Sequence, residues 1–435
     1  MAPTAPDTEW RFLHAADLHL DAPFRSLLAD ATMPAALRAT LADATFRAFE
    51  NCIASAIRLR VRLVLFAGDI DNAGEQSVRA RAAFRLGMER LAKAGIAAVA
   101  VRGNHDPWSA ASSASVPGVR FLGTEPESVT LEGTPAVTVH GASHATVADE
   151  RNLAVRIDPA PDDGAFHIGL LHCHLATAQG SDRHGRYAAC SVADLERADM
   201  RYWALGHVHT PWTGGDAACP IVYPGCLQGL HINEAGAHGA VLVTVRDGRV
   251  AGVERVELDS VRWHSIDIPI TDCATPEEWL ESAADAARAL RPASGGRSII
   301  ARLRVTGRGT LFSALRDEAA RAGLLSHLRL QAAADMPDTW FESLQFQAAS
   351  LIDRATLEAD PASIIGEVFR QEVALRTSDA GAIRDILAAE SAGTGGLARR
   401  LRTLLESASD EELAALLARA ADIVADRLHD PDETA

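Results

Sequence analysis

The sequence is poorest in lysine: Lys93 stands alone, and the other 41 of 42 basic residues are arginines. With alanine abundant, codon bias of a GC-rich genome is the plain reading, ahead of any demand for phosphate binding. Cysteine is sparse too. Cys52, Cys173, Cys190, Cys219, Cys226 and Cys273 form no CxxC pair and are too few for a disulfide scaffold, which fits a reducing cytoplasm. No eighteen apolar residues run uninterrupted, and residues 1–9 lack a basic start followed by an apolar stretch, so neither a membrane span nor secretion is expected. Internal repeats and low-complexity tracts are absent. Positive charge is in deficit, with 58 acidic residues against 42 basic and a net of -16. That balance excludes a protein that coats nucleic acid through bulk electrostatics. The deficit is uneven: residues 336–435 hold 19 acidic and 9 basic side chains, net -10, leaving -6 for the first 335.

What is present is a soluble globular composition, 48% hydrophobic and 23% charged, over 435 residues. That length exceeds one ordinary core, so a catalytic domain with smaller additions is expected. Short apolar strands at residues 11–15, 63–67, 97–101, 137–140, 167–171 and 202–205 alternate with helical stretches, the pattern of an α/β fold. From about residue 265 the texture changes. A strand at 264–270 leads into Thr275-Pro276-Glu277-Glu278, a capping box with proline at the first helical position. A strand at 298–305, a helix at 310–322 and a third strand near 327–330 would complete a small β-α-β-α-β module. Beyond Asp335 the pattern reads as helical, with Ser409 to Glu412 as a second capping box and residues 393–396 as a glycine-rich hinge. The expected domains are 1–264, 265–335 and 336–435.

Fourteen of sixteen histidines lie at or before His264, and five of these follow strands directly in short polar clusters. The clusters are Asp17-Leu18-His19, Gly68-Asp69, Gly103-Asn104-His105-Asp106, His172, and Gly206-His207-Val208-His209. Asp17-x-His19 alone is weak, since two polar residues at that spacing are common, and Gly68-Asp69 alone is more often an ordinary turn. Gly103-Asn104-His105-Asp106 is more specific, because a turn needs no histidine. In an extended segment residues i and i+2 face the same way, so Asp17 with His19, and His207 with His209, could each reach one ion. Joint occurrence decides the reading. Carboxylate, imidazole and amide oxygen are donors for manganese, iron or zinc, and a pair of such ions clamps a phosphoryl centre and makes hydroxide from water near neutral pH.

In that order the motifs resemble the calcineurin-like metallophosphoesterases. The resemblance implies a four-layer α-β-β-α sandwich, and the small module after it resembles the family's α+β capping domain; the helical C-terminal region carries no such motif. It implies two divalent ions, Mn2+ first and Fe2+ or Zn2+ as alternatives. Carried over by position, Asp17, His19 and His209 look like ligands of one ion, Asn104, His172 and His207 of the other, with Asp69 bridging. His105 looks like the group that protonates or stabilises the leaving oxygen, with Asp106 orienting it. Residues 169–175, 202–211 and 223–236 are similar to the YhaO-type branch of the SbcD-like DNA repair exonucleases. That likeness implies cleavage of DNA, an SMC-type coiled-coil ATPase as partner, and room for a homodimer. One departure stands out: such nucleases carry an acid or histidine three residues after the bridging aspartate, whereas here Asp69 is followed by Ile70-Asp71-Asn72. Either Asp71 takes that role in a shortened loop or the role is lost.

Other residues keep two readings. His174 could support the ligands from outside or be a hydrogen-bonded structural histidine. Arg183, His184 and Arg186 could grip backbone phosphates or line a solvated loop, with Arg183 and Arg186 the candidate substrate contacts. His231 reads as structural, and Cys173 as a core residue facing away from His172. A phosphodiesterase for nucleotides or other small diesters, and a non-catalytic subunit of an ATPase complex, remain as alternative functions.

Overall fold

In a computed structural model the chain is described over residues 9–22, 24–72, 77–109, 116–180, 185–349, 351–377, 384–385, 388–389 and 408–428. The strands of the first part are β1 (Glu9–Ala15), β2 (Leu63–Ala67), β3 (Ala97–Val101), β4 (Arg120–Phe121), β5 (Glu127–Leu131), β6 (Val137–Ala142), β7 (Phe166–His172), β8 (Tyr202–Gly206), β9 (Trp212–Gly215), β10 (Pro220–Tyr223), β11 (Gly239–Arg246) and β12 (Arg249–Glu257). They form two six-stranded sheets, in the orders β12-β11-β1-β2-β3-β4 and β5-β6-β7-β8-β10-β9.

Alternation along each strand sorts its side chains into layers, because neighbouring residues point to opposite faces. On β2, Val64 and Phe66 face an outer core with Phe49, Ile53 and Leu91 of the helices Ala44–Arg58 and Val78–Lys93. Leu63, Leu65 and Ala67 face an inner core shared with Ile168 and Leu170 of β7 and Tyr202 and Ala204 of β8. Leu171, Trp203 and Leu205 turn outward again into a third cluster, which the helix Val192–Glu196 and the 3-10 turn Ala154–Arg156 cover. The expected α-β-β-α sandwich is present, its fourth layer made mostly of loops among the described residues. Each fully buried Phe or Leu here contributes about 1.5–3 kcal/mol of transfer free energy.

β1, β2 and β3 run parallel, as do β6, β7 and β8. Parallel strands end at a common edge, and the two stacked sheets bring their C-terminal edges together. The loops after β1 and β2 stay tied beyond the strands through Asp17 N–H to Gly68 O, His19 N–H to Asp69 O and Leu20 N–H to Ile70 O.

Further on, β13 (Val261–Pro269), β14 (Ser298–Thr306) and β15 (Thr339–Phe346) form a three-stranded sheet in that order. The Thr275 capping box forms and starts the helix Pro276–Leu290. The third strand is not at 327–330. Those residues continue the helix Glu318–Asp335, with Leu328 buried and Leu330 exposed, and the strand comes later at β15, inside a region expected to be all helical. The chain divides into two compact units: Met1–Ile266 with Ala286–Arg302 and Arg329–Ser343, and Asp267–Asp285 with Leu303–Leu328 and Leu344–Ala435. In the second unit Phe369 packs on Ala421 and Ala425 of the helix Asp410–Leu428, which begins at the Ser409 capping box. Residues 393–396, the expected glycine-rich hinge, lie outside the described residues.

Candidate metal centre

All seven expected ligands sit at the shared strand edge and are buried or nearly so. His209 Nε2 lies 3.2 Å from His19 Nε2 and 3.7 Å from Asp17 Oδ1. Asp69 Oδ2 lies 3.8 Å from His19 Nε2 and 3.4 Å from His172 Nε2, between the two halves of the cluster. Asn104 Oδ1 is 3.0 Å from His172 Nε2 and 3.1 Å from His207 Nδ1. Asp17 reaches both halves, since its carboxylate groups with His19 and His209 and also with Asp69 and His172.

The side chains converge by a different route from the one expected. Asp17, His19 and Asp69 have φ of 50°, 41° and 49°, and His207 has φ of 105°. None of these is the extended backbone invoked for the i, i+2 pairs. Each left-handed non-glycine residue costs on the order of 1–3 kcal/mol, and such strain concentrates where function requires it. The loop ties Asp17 to Gly68 and His19 to Asp69 hold the conformation. Gly68, at φ of 87°, and Gly103 leave the needed room: a Cβ on Gly103 would lie 2.2 Å from Asp69 Oδ1.

Each imidazole is also held from behind. The outward nitrogens of His19, His172, His207 and His209 meet Asn72 Oδ1 at 3.1 Å, Ala67 O at 2.8 Å, Gly185 O at 2.6 Å and Glu234 Oε1 at 2.7 Å. These partners only accept, so the outward nitrogen carries the proton and the inward nitrogen presents a lone pair. Inside the cluster, acceptor then faces acceptor: Nε2 against Nε2, and two imidazole lone pairs against Asn104 Oδ1. Such a set repels itself unless a cation or a proton lies within it, and its nitrogen and oxygen donors suit borderline divalent ions.

The electrostatics of the cluster point the same way. Burial raises the Asp17 carboxyl to about 6, with Asp69 adding to the shift and His209 and His172 opposing it. Burial works to raise Asp69 as well, but His172, His19 and His105 hold it well below the usual carboxylate range. Burial lowers His19 to about 4. His172 rises to about 9 against burial, because Asp69 and Asp17 favour its charged form. A proton on His172 supplies the positive charge that the buried carboxylates require.

His105 sits exposed at the rim, its ring edge-on to His19 with centroids 5.0 Å apart, and its N–H donates to Asp69 Oδ1 at 2.9 Å. The buried Asp106 carboxylate accepts from Gly103 N–H at 2.8 Å, Ile70 N–H at 3.1 Å and Arg102 Nη1 at 3.1 Å, and among the described residues no hydrogen bond joins it to the His105 ring it was expected to orient. It staples the loop bearing Asn104 to the loop bearing Asp69.

Asn72, not Asp71, meets the cluster, as the acceptor behind His19, while Asp71 pairs through its backbone with Leu20. His174 is buried with its ring centroid 6.1 Å from that of His207, and its Nδ1 has no hydrogen-bond partner among the described residues. His231 is exposed and lies 3.2 Å from Glu234. Cys173, just past β7, packs in the third cluster, as expected of a core residue facing away from His172. Arg186 is exposed, and Arg183 and His184 lie outside the described residues. Glu234 was missed: it falls at the end of a recognised stretch, but a lone glutamate in a loop carries no ligand signal.

Residues 11–211 match the calcineurin-like phosphoesterases. They belong to that family. Residues 263–349, which follow this phosphoesterase domain, match the middle domain of the metallophosphoesterase YhaO. Among curated proteins, the chain is 31% identical over 277 residues to "Uncharacterized metallophosphoesterase YhaO" of Bacillus subtilis, covering 61% of this chain and 64% of that protein. It is 28% identical over 280 residues to "DNA double-strand break repair protein Mre11" of Aeropyrum pernix, covering 60% of this chain and 64% of that one. The match therefore spans less than two thirds of either relative. A solved dimetal phosphatase from Danio rerio aligns over 57% of this chain and 97% of its own at 12% identity and a TM-score of 0.35.

Proposed function

We propose that this chain is a two-metal phosphodiesterase that cleaves DNA. The observation that carries this is the inward-facing set of lone pairs from seven buried or nearly buried donors at the ends of β1, β2, β3, β7 and β8. Asp17, His19 and His209 would hold one ion, Asn104, His172 and His207 the other, and Asp69 would bridge them. Bound there, manganese, iron or zinc supplies an activated water and withdraws charge from the phosphoryl oxygens. The chain's own part is positional. Asp106 and the loop ties fix the donors, the outer acceptors fix the imidazole tautomers, and His105 at the exposed rim delivers a proton to the leaving oxygen. Asn72, neutral and committed to His19, has no proton to give where related nucleases carry an acid or histidine, so leaving-group protonation falls to His105 alone.

DNA is favoured over other diesters by the similarity to the Aeropyrum protein and to the YhaO middle domain. The net charge of -16 favours the second reading, a nucleotide or small-diester hydrolase. An SMC-type coiled-coil ATPase would resolve the conflict by supplying a basic DNA surface, with the acidic C-terminal region as its docking element. That region exposes Leu416, Ile423, Val424 and Leu428 on one helix. Among the described residues no helix is long and apolar enough to cross a membrane, and the cytoplasm is the proposed location.

The test is purified protein with manganese on labelled linear duplex, single strands and a chromogenic phosphodiester. Cleavage of DNA that chelator abolishes is expected. Turnover of the small diester alone selects the second reading, and no turnover of any substrate refutes both. Removing residues after 349 should leave small-diester turnover intact and abolish co-purification with the ATPase. Size-exclusion chromatography with light scattering tests the homodimer.

A further inference from the structure

Four imidazoles line the cluster, and their outward nitrogens meet unequal partners. Those of His172 and His207 reach the backbone carbonyls of Ala67 and Gly185, and that of His19 reaches the amide oxygen of Asn72. Among the described contacts, His209 alone meets a carboxylate with its outward nitrogen, Glu234, through Oε1 at 2.7 Å. The carboxylate is fixed in turn. Glu234 Oε2 accepts from Leu230 N–H at 2.7 Å, Glu234 N–H closes a turn onto His231 O at 2.8 Å, and the side chain is 11% exposed. A backbone carbonyl orients an imidazole; a carboxylate also makes it a stronger donor by favouring positive charge on the ring.

We infer that Glu234 is a positioning residue for His209, holding Nε2 toward the ion shared with Asp17 and His19 and making that position selectively dependent on its charge. The inference rests on the two-ion reading. The two positions are then built unequally: the Asn104, His172, His207 position is oriented by neutral groups, and the other is strengthened by an anion behind one ligand. His231 shares the same carboxylate from the exposed side at 3.2 Å, outside the cluster, and should be dispensable. Cys226 raises a competing arrangement, since His209, Cys226 and Glu234 themselves lie at ligand-group spacing. Its thiol lies 3.2 Å from His238 Nδ1 and 3.8 Å from Glu234 Oε2, so the titration includes a Cys226 variant.

The experiment is calorimetric titration of chelator-stripped full-length protein with manganese chloride, with circular dichroism and thermal melts as folding controls. Wild type should bind two ions. Glu234→Gln should weaken one of them about 10- to 100-fold and leave the other within a few-fold. His231→Ala should match wild type at both. Nitrogen-15 histidine spectra give a readout free of metal: the His209 Nδ1 proton signal, present in wild type, should shift or broaden in Glu234→Gln. If that variant does not fold, Glu234→Asp, which keeps the charge but cannot span the same distance, should weaken the same single ion. Two ions bound by Glu234→Gln as in wild type overturns the inference while leaving the two-ion reading intact, and equal weakening of both ions reduces Glu234 to a general structural role and also overturns it. A third ion in wild type, lost in Cys226→Ser, would make Glu234 a direct ligand and overturn the positioning role. A wild type that binds no ion overturns the two-ion reading and this inference together.

Discussion

Asp106→Asn separates a staple from a catalytic group. The carboxylate is 1% exposed and accepts from two backbone N–H groups and the Arg102 guanidinium, itself 7% exposed. Asparagine keeps the shape but removes the charge and turns one acceptor into a donor. That donor faces either Ile70 N–H or Gly103 N–H, leaving a buried pair of donors at a cost of about 1–3 kcal/mol. Removing one partner of a buried ion pair typically costs about 3–5 kcal/mol. The two costs overlap, and Arg102 retains the Phe121 ring 4.2 Å away, so we expect about 3 kcal/mol. For a unit of about 300 residues that is a fall of roughly 5 °C in the thermal midpoint. Because Ile70 adjoins Asp69 and Gly103 adjoins Asn104, manganese affinity should fall along with stability. Thermal melts of chelated protein and metal analysis of reconstituted protein measure both effects. An Asp106→Asn variant as stable and as metal-loaded as wild type, but slow, would refute the staple and restore a role beside His105.

The remaining expectations are as follows. His105→Ala should keep its metal and its melting midpoint, because the side chain is exposed, but lose a factor on the order of a hundred or more in turnover; near-normal rates on a diester with a poor leaving group would remove its acid role. Asp69→Ala should fail to hold two ions, and full occupancy by metal analysis would sink the bridging assignment. Gly103→Ala places a Cβ 2.2 Å from Asp69 Oδ1 and 2.8 Å from His172 Cε1, and overpacking of about 1–3 kcal/mol with loss of metal should follow; unchanged metal content would show that the loop yields freely. In chelated protein burial works to raise Glu234, yet His209 holds it at about 2, below its ordinary 4.5. A depressed carboxyl adds stability that is present above pH 4.5 and lost as pH falls through about 2. Glu234→Gln should therefore narrow its stability gap to wild type across that window, and a constant gap in urea midpoints would contradict this.

The strand edges and all seven donors were legible as residue types in place: each polar cluster follows an apolar strand, and parallel strands place such clusters at one edge. β2 and β3 fall on the residues expected for them. The helix reaching through residues 327–330 was not legible, because His327-Leu328-Arg329-Leu330 alternates like a strand while continuing a helix, and only burial of Leu328 with exposure of Leu330 distinguishes the two. Asp17 was legible as a donor, but its reach to both halves of the cluster was not.

The sequence by itself determined which donors exist and that they end strands, since both follow from residue type and from periodicity along a single segment. Tertiary structure alone decided how they converge. The left-handed backbone at Asp17, His19, Asp69 and His207 is unfavourable locally, and for the first two it is held by hydrogen bonds to a neighbouring loop. Asn72 behind His19, Glu234 behind His209 and Asp106 across two loops are likewise contacts between distant or unpatterned positions. A polar residue in a loop looks alike in sequence whether it faces water or a buried imidazole, and only the folded chain sets its partner.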